Sequence, residues 1–289
     1  MQRLNFKYTA HRFAYWRVLF GSFLFYYSLR IWPYAVDLYS DLGPMKGLYG
    51  ATSFPTSNFE FPGLLLFSAT EIWIEIVASL QVLLSFLFLI GFHRRIVALL
   101  LWFVMASLYN KNPTTYSIEL PYHGWLLLCC ALIPEGDFLK KEKCKSEWKM
   151  SPVLYWGAWI ILGISYSYMG YTKFFTPRWW DGGATTAILK GYHGYTWVRP
   201  ILDAIPIWLF VTIDRGFLLT EFLAGPGYFF KLTRPYVWLI TFFMHIAILM
   251  TMNIPQISLG MFVIHLFLFD ENWISQLNIF RRSKNQVKS

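Results

Sequence analysis

Charged side chains and cysteines are both scarce in this sequence. Only 14% of the 289 residues are charged, whereas soluble domains carry about 25%. No stretch of about 100 residues has a soluble composition, which argues against an ordinary soluble enzyme. The three cysteines, Cys129, Cys130 and Cys144, show neither a disulfide pattern nor a CxxC metal pair. We therefore expect free thiols.

The short motifs of standard soluble catalysis are also missing. No Walker or dinucleotide-binding glycine motif occurs in a strand context, and neither HExxH nor GxSxG is present. The histidines are dispersed, so a metal site would require His123, His193 and His245 to converge in space. We predict no metal site.

Apolar and aromatic residues are abundant instead, at 56% and 20% of the chain. Their runs are long enough to cross about 30 Å of hydrocarbon as helices. We predict an all-α fold, a polytopic membrane bundle of about eight transmembrane helices forming one domain over residues 1–289. No small-residue cleavage site follows the first run before Arg30 and Trp32, so we expect a retained helix rather than a signal peptide.

The predicted helices cover residues 13–32, 70–92, 96–108, 122–134, 153–172, 205–230, 235–252 and 257–269. The sixth contains Asp214, Arg215 and Glu221, which favours an amphipathic segment followed by a shorter span. The segment from 33 to 63 is predicted as an ordered outer loop.

Lysine and arginine cluster in five segments that alternate with poorly charged ones. Because cytoplasmic loops of membrane proteins carry excess Lys and Arg, this pattern predicts both termini in the cytoplasm. It also explains the net charge of +9 without a nucleic acid partner. The segments contain Arg3, Lys7 and Arg12; Arg94 and Arg95; Lys140, Lys141, Lys143, Lys145 and Lys149; Lys231 and Arg234; and Arg281, Arg282, Lys284 and Lys288.

Several polar side chains fall within the apolar runs. Glu71, Glu75 and Gln81 share one face of the second helix, and we expect that face to point into the bundle because unpaired carboxylates near a membrane are costly. Arg17 either reaches back to the cytoplasmic surface or pairs internally. His123, at the outer end of the fourth helix, is either an interfacial histidine or a functional one.

The stretch from Ser165 to Ala184 combines the end of an apolar helix with a lysine and an aromatic, glycine-rich turn. Ser165, Tyr168 and Thr172 form a polar stripe that leads to Lys173 and is expected to line a pocket. Lys173 is either a lysine reaching the headgroups or a base, since desolvation favours the neutral amine and nearby water favours the ammonium.

These residues resemble the HTTM domain, the membrane part of vitamin K-dependent γ-glutamyl carboxylase, from about Arg12 to Phe269. The strongest match is the exit of the fifth helix, through Tyr168, Gly170, Lys173, Trp179 and Gly182. The second match comprises Met252, Asn253, Ser258, Gly260, Met261 and Phe262. Weaker matches are residues 17–21, residues 91–95 and His123.

The resemblance implies a quinol-dependent enzyme. In the carboxylase the matching lysine deprotonates vitamin K hydroquinone, which reacts with oxygen to give a strong base. That base removes a glutamate γ-proton so that CO₂ can add. By resemblance we expect Lys173 and His123 to be catalytic. The expected cofactor, vitamin K hydroquinone or a menaquinol-like lipid, would contact Tyr168, Trp179, Asn253 and His245.

One departure from the carboxylase concerns substrate recognition. The carboxylase continues into a large lumenal domain, whereas this sequence ends within about 20 residues of the eighth helix. We therefore expect a peptide substrate or a partner protein that supplies recognition, in a bacterial inner membrane. The alternative is a non-enzymatic membrane scaffold, transport factor or secreted-peptide maturation factor, in which Lys173, Glu75 and Arg17 are structural ion partners.

Overall fold

The computed structural model describes residues 8–40, 43, 63–66, 68, 70–112, 115, 117, 119–270 and 272–273. Helices make up the regular structure, and no strand occurs among these residues, which confirms the all-α prediction. The chain divides into two compact units, residues 1–156 and 157–289.

All eight predicted helices are present, with small shifts at their ends. The sixth is one continuous helix rather than the predicted amphipathic segment and shorter span. The eight helices are α1 (Ala10–Ile31), α3 (Glu71–Ile90), α4 (Arg94–Lys111), α5 (Leu120–Leu132), α6 (Pro152–Phe174), α10 (Ile207–Phe229), α11 (Arg234–Thr251) and α12 (Pro255–Leu268).

Four shorter helices lie between them. The predicted outer loop falls mostly outside the described residues, but its start is helical, and the segment after Lys173 is helical rather than a simple turn. The short helices are α2 (Ala35–Tyr39), α7 (Arg178–Asp181), α8 (Gly183–Lys190) and α9 (Arg199–Ala204).

Two helices, α3 and α11, are long and apolar enough to cross a membrane by length and composition; α5 and α12 are apolar but shorter. On α3 the predicted inward face is only partly right. Gln81 is buried, whereas Glu71 and Glu75 are exposed. The buried side of this helix carries Ile74, Val77 and other apolar residues instead, because apolar side chains pack against α1 at no desolvation cost.

In the first unit, two buried arginines cap helix ends and share one carboxylate. Arg17 donates to the carbonyl oxygens of Phe88 and Leu89 at the end of α3, at 3.1 and 2.8 Å. Arg94 donates to the Ile133 carbonyl at 3.0 Å, just past α5. Carbonyl groups at the end of a helix have no donor from a following turn, and the Phe88 carbonyl accepts from the Gly91 N–H as well as from Arg17. Arg17 is therefore paired internally and does not reach the surface.

Asp137 joins the two arginines. Its carboxylate oxygens lie 3.1 Å from Arg17 Nε and 3.2 Å from Arg94 Nε, and all three side chains are at most 7% exposed. Gly91 ends α3 in the left-handed conformation at φ 80°, and a Cβ there would lie 2.9 Å from Arg17 Cζ. The guanidinium therefore occupies space that only glycine leaves free.

In the second unit, Ser167 compensates for a hydrogen bond that is missing from α10. Pro226 lies inside this helix and has no N–H, so the Phe222 carbonyl loses its helical donor. Ser167 Oγ donates to that carbonyl at 3.0 Å and accepts from Gly225 N at 2.9 Å. A proline is tolerated here because a neighbouring helix satisfies the freed group.

Candidate functional site

Lys173, at the end of α6, forms an ion pair with Glu221 of α10. The amine nitrogen lies 2.5 Å from Glu221 Oε1, and the two side chains are 16% and 9% exposed. The same nitrogen is 4.4 Å from the centroid of the Trp179 ring. Glu221 Oε2 is buried and has no hydrogen-bond partner among the described residues. The amine is thus held between a carboxylate and an aromatic face.

A glycine one turn before Lys173 brings the two helices together. A Cβ on Gly170 would lie 2.2 Å from Phe222 N and 2.8 Å from the Glu221 carbonyl carbon. No other residue could occupy position 170 without a shift of the α10 backbone. Close approach at small residues is a common way for membrane helices to pack, and here it places Glu221 within reach of Lys173.

The charges of α10 hold the segment that follows Lys173. Asp214 is fully buried and accepts from Ala184 N at 3.0 Å and Thr185 N at 3.1 Å, so it caps the start of α8. Arg215 Nε donates to the Trp180 carbonyl at 3.1 Å. Asp214 and Arg215, which suggested an interrupted sixth helix, therefore hold α8 and α7 against α10 by hydrogen bonds.

A buried polar network lies among α10, α11 and α12 of the same unit. His265 Nδ1 is 2.8 Å from the Met261 carbonyl oxygen, which can only accept, so Nδ1 carries a proton. Thr241 Oγ1 lies 3.0 Å from His265 Nε2 and 2.7 Å from the Tyr228 hydroxyl. It also donates to the Val237 carbonyl at 2.8 Å. His265, Thr241 and Tyr228 thus form one buried cluster of polar groups.

His245 forms the second part of this polar region. Its Nε2 is 2.7 Å from the Tyr166 hydroxyl of α6, and its ring centroid is 5.7 Å from that of His265. His245 Nδ1 is buried without a hydrogen-bond partner among the described residues. The ion pair and the histidine network both involve α6, through Lys173 and Tyr166 respectively.

His123 lies in the first unit, and Lys173 lies in the second. Its side chain is fully buried, with its ring centroid 4.8 Å from Phe23 and 5.7 Å from Phe20, both on α1. His123 therefore packs against α1 instead of being exposed. The interfacial position and the catalytic role both stay predictions.

Tyr168 is 64% exposed, and Thr172 is exposed as well. The stripe expected to line a pocket therefore lies on the outer side of α6, because the inner side is taken by Tyr166, Ser167 and Gly170. A cofactor contact from Tyr168 stays a prediction.

Asn253 is an exposed residue in the turn between α11 and α12. Its backbone N–H donates to the His193 carbonyl at 2.7 Å, which ties this turn to the segment before α9. Among the described residues, no group of three or more His, Cys, Asp or Glu side chains could hold a metal ion. Cofactor binding by Asn253 and His245 stays a prediction.

Four residues of these sites are not predicted from the sequence: Glu221, Tyr166, Thr241 and His265. A signal for Glu221 was present, because a carboxylate inside an apolar run needs a partner, and Lys173 is a cation on another apolar helix. For Tyr166, Thr241 and His265 the sequence carries no comparable signal, since their positions opposite one another follow from tertiary packing.

Comparison of the chain with family models, curated proteins and solved structures gives no match.

Proposed function

We propose that this chain is a multi-pass membrane enzyme whose base is the Lys173–Glu221 pair. The pair acts on a quinol-type lipid, and the product modifies a peptide or small substrate at the outer face of a bacterial inner membrane. The observation that carries the proposal is the enclosed amine, 2.5 Å from a buried carboxylate whose second oxygen has no hydrogen-bond partner in the described part of the chain.

Exposed apolar side chains support the membrane location. On α3 they recur every three or four residues and form a continuous outer stripe, which in a soluble protein would be polar. On α11, Tyr236, Ile240 and Phe243 are each more than half exposed. The α3 stripe consists of Ile72, Ile76, Leu80, Leu83, Phe86 and Ile90.

The surroundings of Lys173 fit an aromatic ring that carries a hydroxyl group. Trp179 offers a ring face beside the amine, and Phe174 lies against Trp180 and Phe222, with centroids 5.1 and 6.0 Å apart. Flat apolar ligands bind such walls, while a few polar groups fix their orientation. A bound quinol would supply reducing equivalents for oxygen.

The pair can accept a proton in two steps. Moving one proton from Lys173 Nζ to Glu221 gives a neutral amine and a carboxylic acid, a form that a low-dielectric site favours relative to water. The amine then takes the proton of a bound hydroxyl and becomes an ammonium. Trp179 stabilises that ammonium through its ring face, and the resulting anion lies beside a cation.

The test uses the purified full chain with reduced menaquinone-4 under oxygen. We expect wild-type protein to accelerate quinol oxidation, and Lys173→Ala to abolish the acceleration while the protein stays folded in the membrane. Lys173→Arg should fail as well, because a guanidinium remains charged and cannot accept the proton. Full activity in Lys173→Ala would remove the proposal.

The second candidate is a membrane scaffold or transport factor. The same ion pair favours it, since a buried lysine and glutamate can serve packing alone. In that case Lys173→Arg supports the biological role as well as wild type does, and mass spectrometry of the purified protein finds no copurified quinone. A bound quinone together with loss of function in Lys173→Arg decides for the enzyme.

A further inference from the structure

The first unit contains a cavity of about 390 Å³ among α1, α2, α3, α4 and α5. None of the residues singled out by sequence as catalytic or cofactor-binding lines it. It is bounded on one side by Tyr27 and Ile31 of α1 and on another by Trp102 and Met105 of α4. Gly124 and the neighbouring Trp125 of α5 complete the wall.

The lining is apolar and aromatic, with a few neutral polar groups. Gln81, whose side chain is only 5% exposed, contributes an amide that can both donate and accept. Tyr27, Tyr39 and Tyr109 also belong to the wall. No Asp, Glu, Lys or Arg is among the described lining residues.

Glu119 is a buried acid just before α5, next to the lining residues Leu120 and Pro121. Burial raises the pKa of Glu119 above its usual value, which favours the uncharged carboxylic acid. Since no Lys or Arg is among the described lining residues, they offer no cation to an anionic headgroup.

Size limits the ligand further. Pockets for small molecules measure about 300–1,000 Å³, so this cavity is near the lower end of that range. It suits one hydrocarbon chain or a small ring system rather than a phospholipid with two chains. The aromatic walls suit the apolar body of a neutral amphiphile, and the Gln81 amide can form a hydrogen bond with its uncharged polar head.

We propose that this cavity binds a neutral single-chain lipid, with its hydroxyl or carbonyl head at Gln81 and its apolar body between Trp102 and Trp125. The proposal does not depend on Lys173. It adds a lipid site in the first unit that is independent of any quinol held beside the ion pair.

The experiment uses the full chain in detergent with a photoreactive hexadecanol that carries a diazirine in its chain. Gly124→Leu fills the cavity, since a Cβ there meets only Trp102, at an ordinary 3.5 Å. We expect crosslinks on α4 and α5 in wild type, and a loss of about tenfold or more in Gly124→Leu. Ala106→Phe, which fills the same cavity from α4, should reproduce that loss.

Matched variants and probes sharpen the result. Gly216→Leu is the control, because a Cβ on Gly216 meets nothing within 4 Å; it should leave labelling unchanged, as should Lys173→Ala. Gln81→Leu should reduce crosslinking by the hexadecanol probe about tenfold. It should not reduce crosslinking by a diazirine alkane that lacks the hydroxyl. If both filling variants are folded and still crosslink as wild type does, or if a two-chain phosphatidylglycerol probe labels the same peptides, the proposal is overturned.

Discussion

At the scale of single residues, Lys173 and Glu221 depend on each other. Removing either partner leaves the other buried without compensation, whereas removing both leaves an apolar contact that costs little. Trp179 can stabilise the ammonium but cannot replace the carboxylate, since a ring face carries no full charge. The pair is therefore expected to respond to mutation as a unit.

Glu221→Leu and Lys173→Met should each lower the free energy of unfolding by about 3 kcal/mol. The double variant Lys173→Met/Glu221→Leu should recover most of that loss, because no uncompensated charge remains. Thermal unfolding in detergent, analysed as a double-mutant cycle, measures the coupling. Losses that simply add would show that the two side chains are not coupled.

The Asp137 carboxylate should contribute more to the free energy of unfolding than most ion-pair partners do, since it pairs with two buried guanidinium groups. Asp137→Asn should destabilise the protein by about 3–5 kcal/mol. Asp203→Asn is the matched control: Asp203 pairs with Lys190 in an exposed position, and such pairs contribute at most about 1 kcal/mol. Chemical unfolding of both variants gives the comparison, and equal losses would contradict it.

At the scale of helices, the contact of α6 with α10 depends on the absence of a side chain at position 170. Gly170→Ala should destabilise the protein by about 3 kcal/mol, the upper range for overpacking, because the clash is with backbone. It should also separate Lys173 from Glu221 and reduce quinol oxidation.

Gly216→Ala provides the control for that prediction within the same helix pair. Its new Cβ meets nothing within 4 Å, so it should stabilise α10 by up to about 1 kcal/mol through helix propensity. The melting temperatures of the two variants should move in opposite directions. A shared downward shift would mean that general sensitivity to substitution, not the α6–α10 contact, explains the result.

The helices themselves were predictable from sequence because long apolar runs mark them directly. Which face each helix buries was harder to predict. Glu71 and Glu75 share a face with Gln81 by spacing, yet only Gln81 is buried, since the packing partner decides the face. Lys173 stood out as an isolated cation, but its partner Glu221 lies 48 residues away, and no local pattern specifies that pairing.

At the scale of the whole molecule, the charge pattern predicts on which side of the membrane each loop lies. Ser146→Cys and Tyr192→Cys, each in a Cys144→Ser background, place comparable exposed thiols in two loops. A membrane-impermeant maleimide should label Tyr192→Cys in intact cells and Ser146→Cys only after permeabilisation. Cys129 and Cys130 are buried and should stay unlabelled. The reverse pattern would invert the topology and place Lys173 in the cytoplasm.

The repair of α10 by Ser167 has an evolutionary consequence. Pro226 leaves the Phe222 carbonyl without its helical donor, and Ser167 of α6 donates to that carbonyl instead. Substitutions at positions 167 and 226 are therefore expected to depend on each other. A lineage that replaces the serine by alanine gains from replacing the proline too, because a restored N–H at 226 takes over the Phe222 carbonyl. Related sequences should therefore show correlated substitutions at positions 167 and 226, even where the rest of the two helices has diverged.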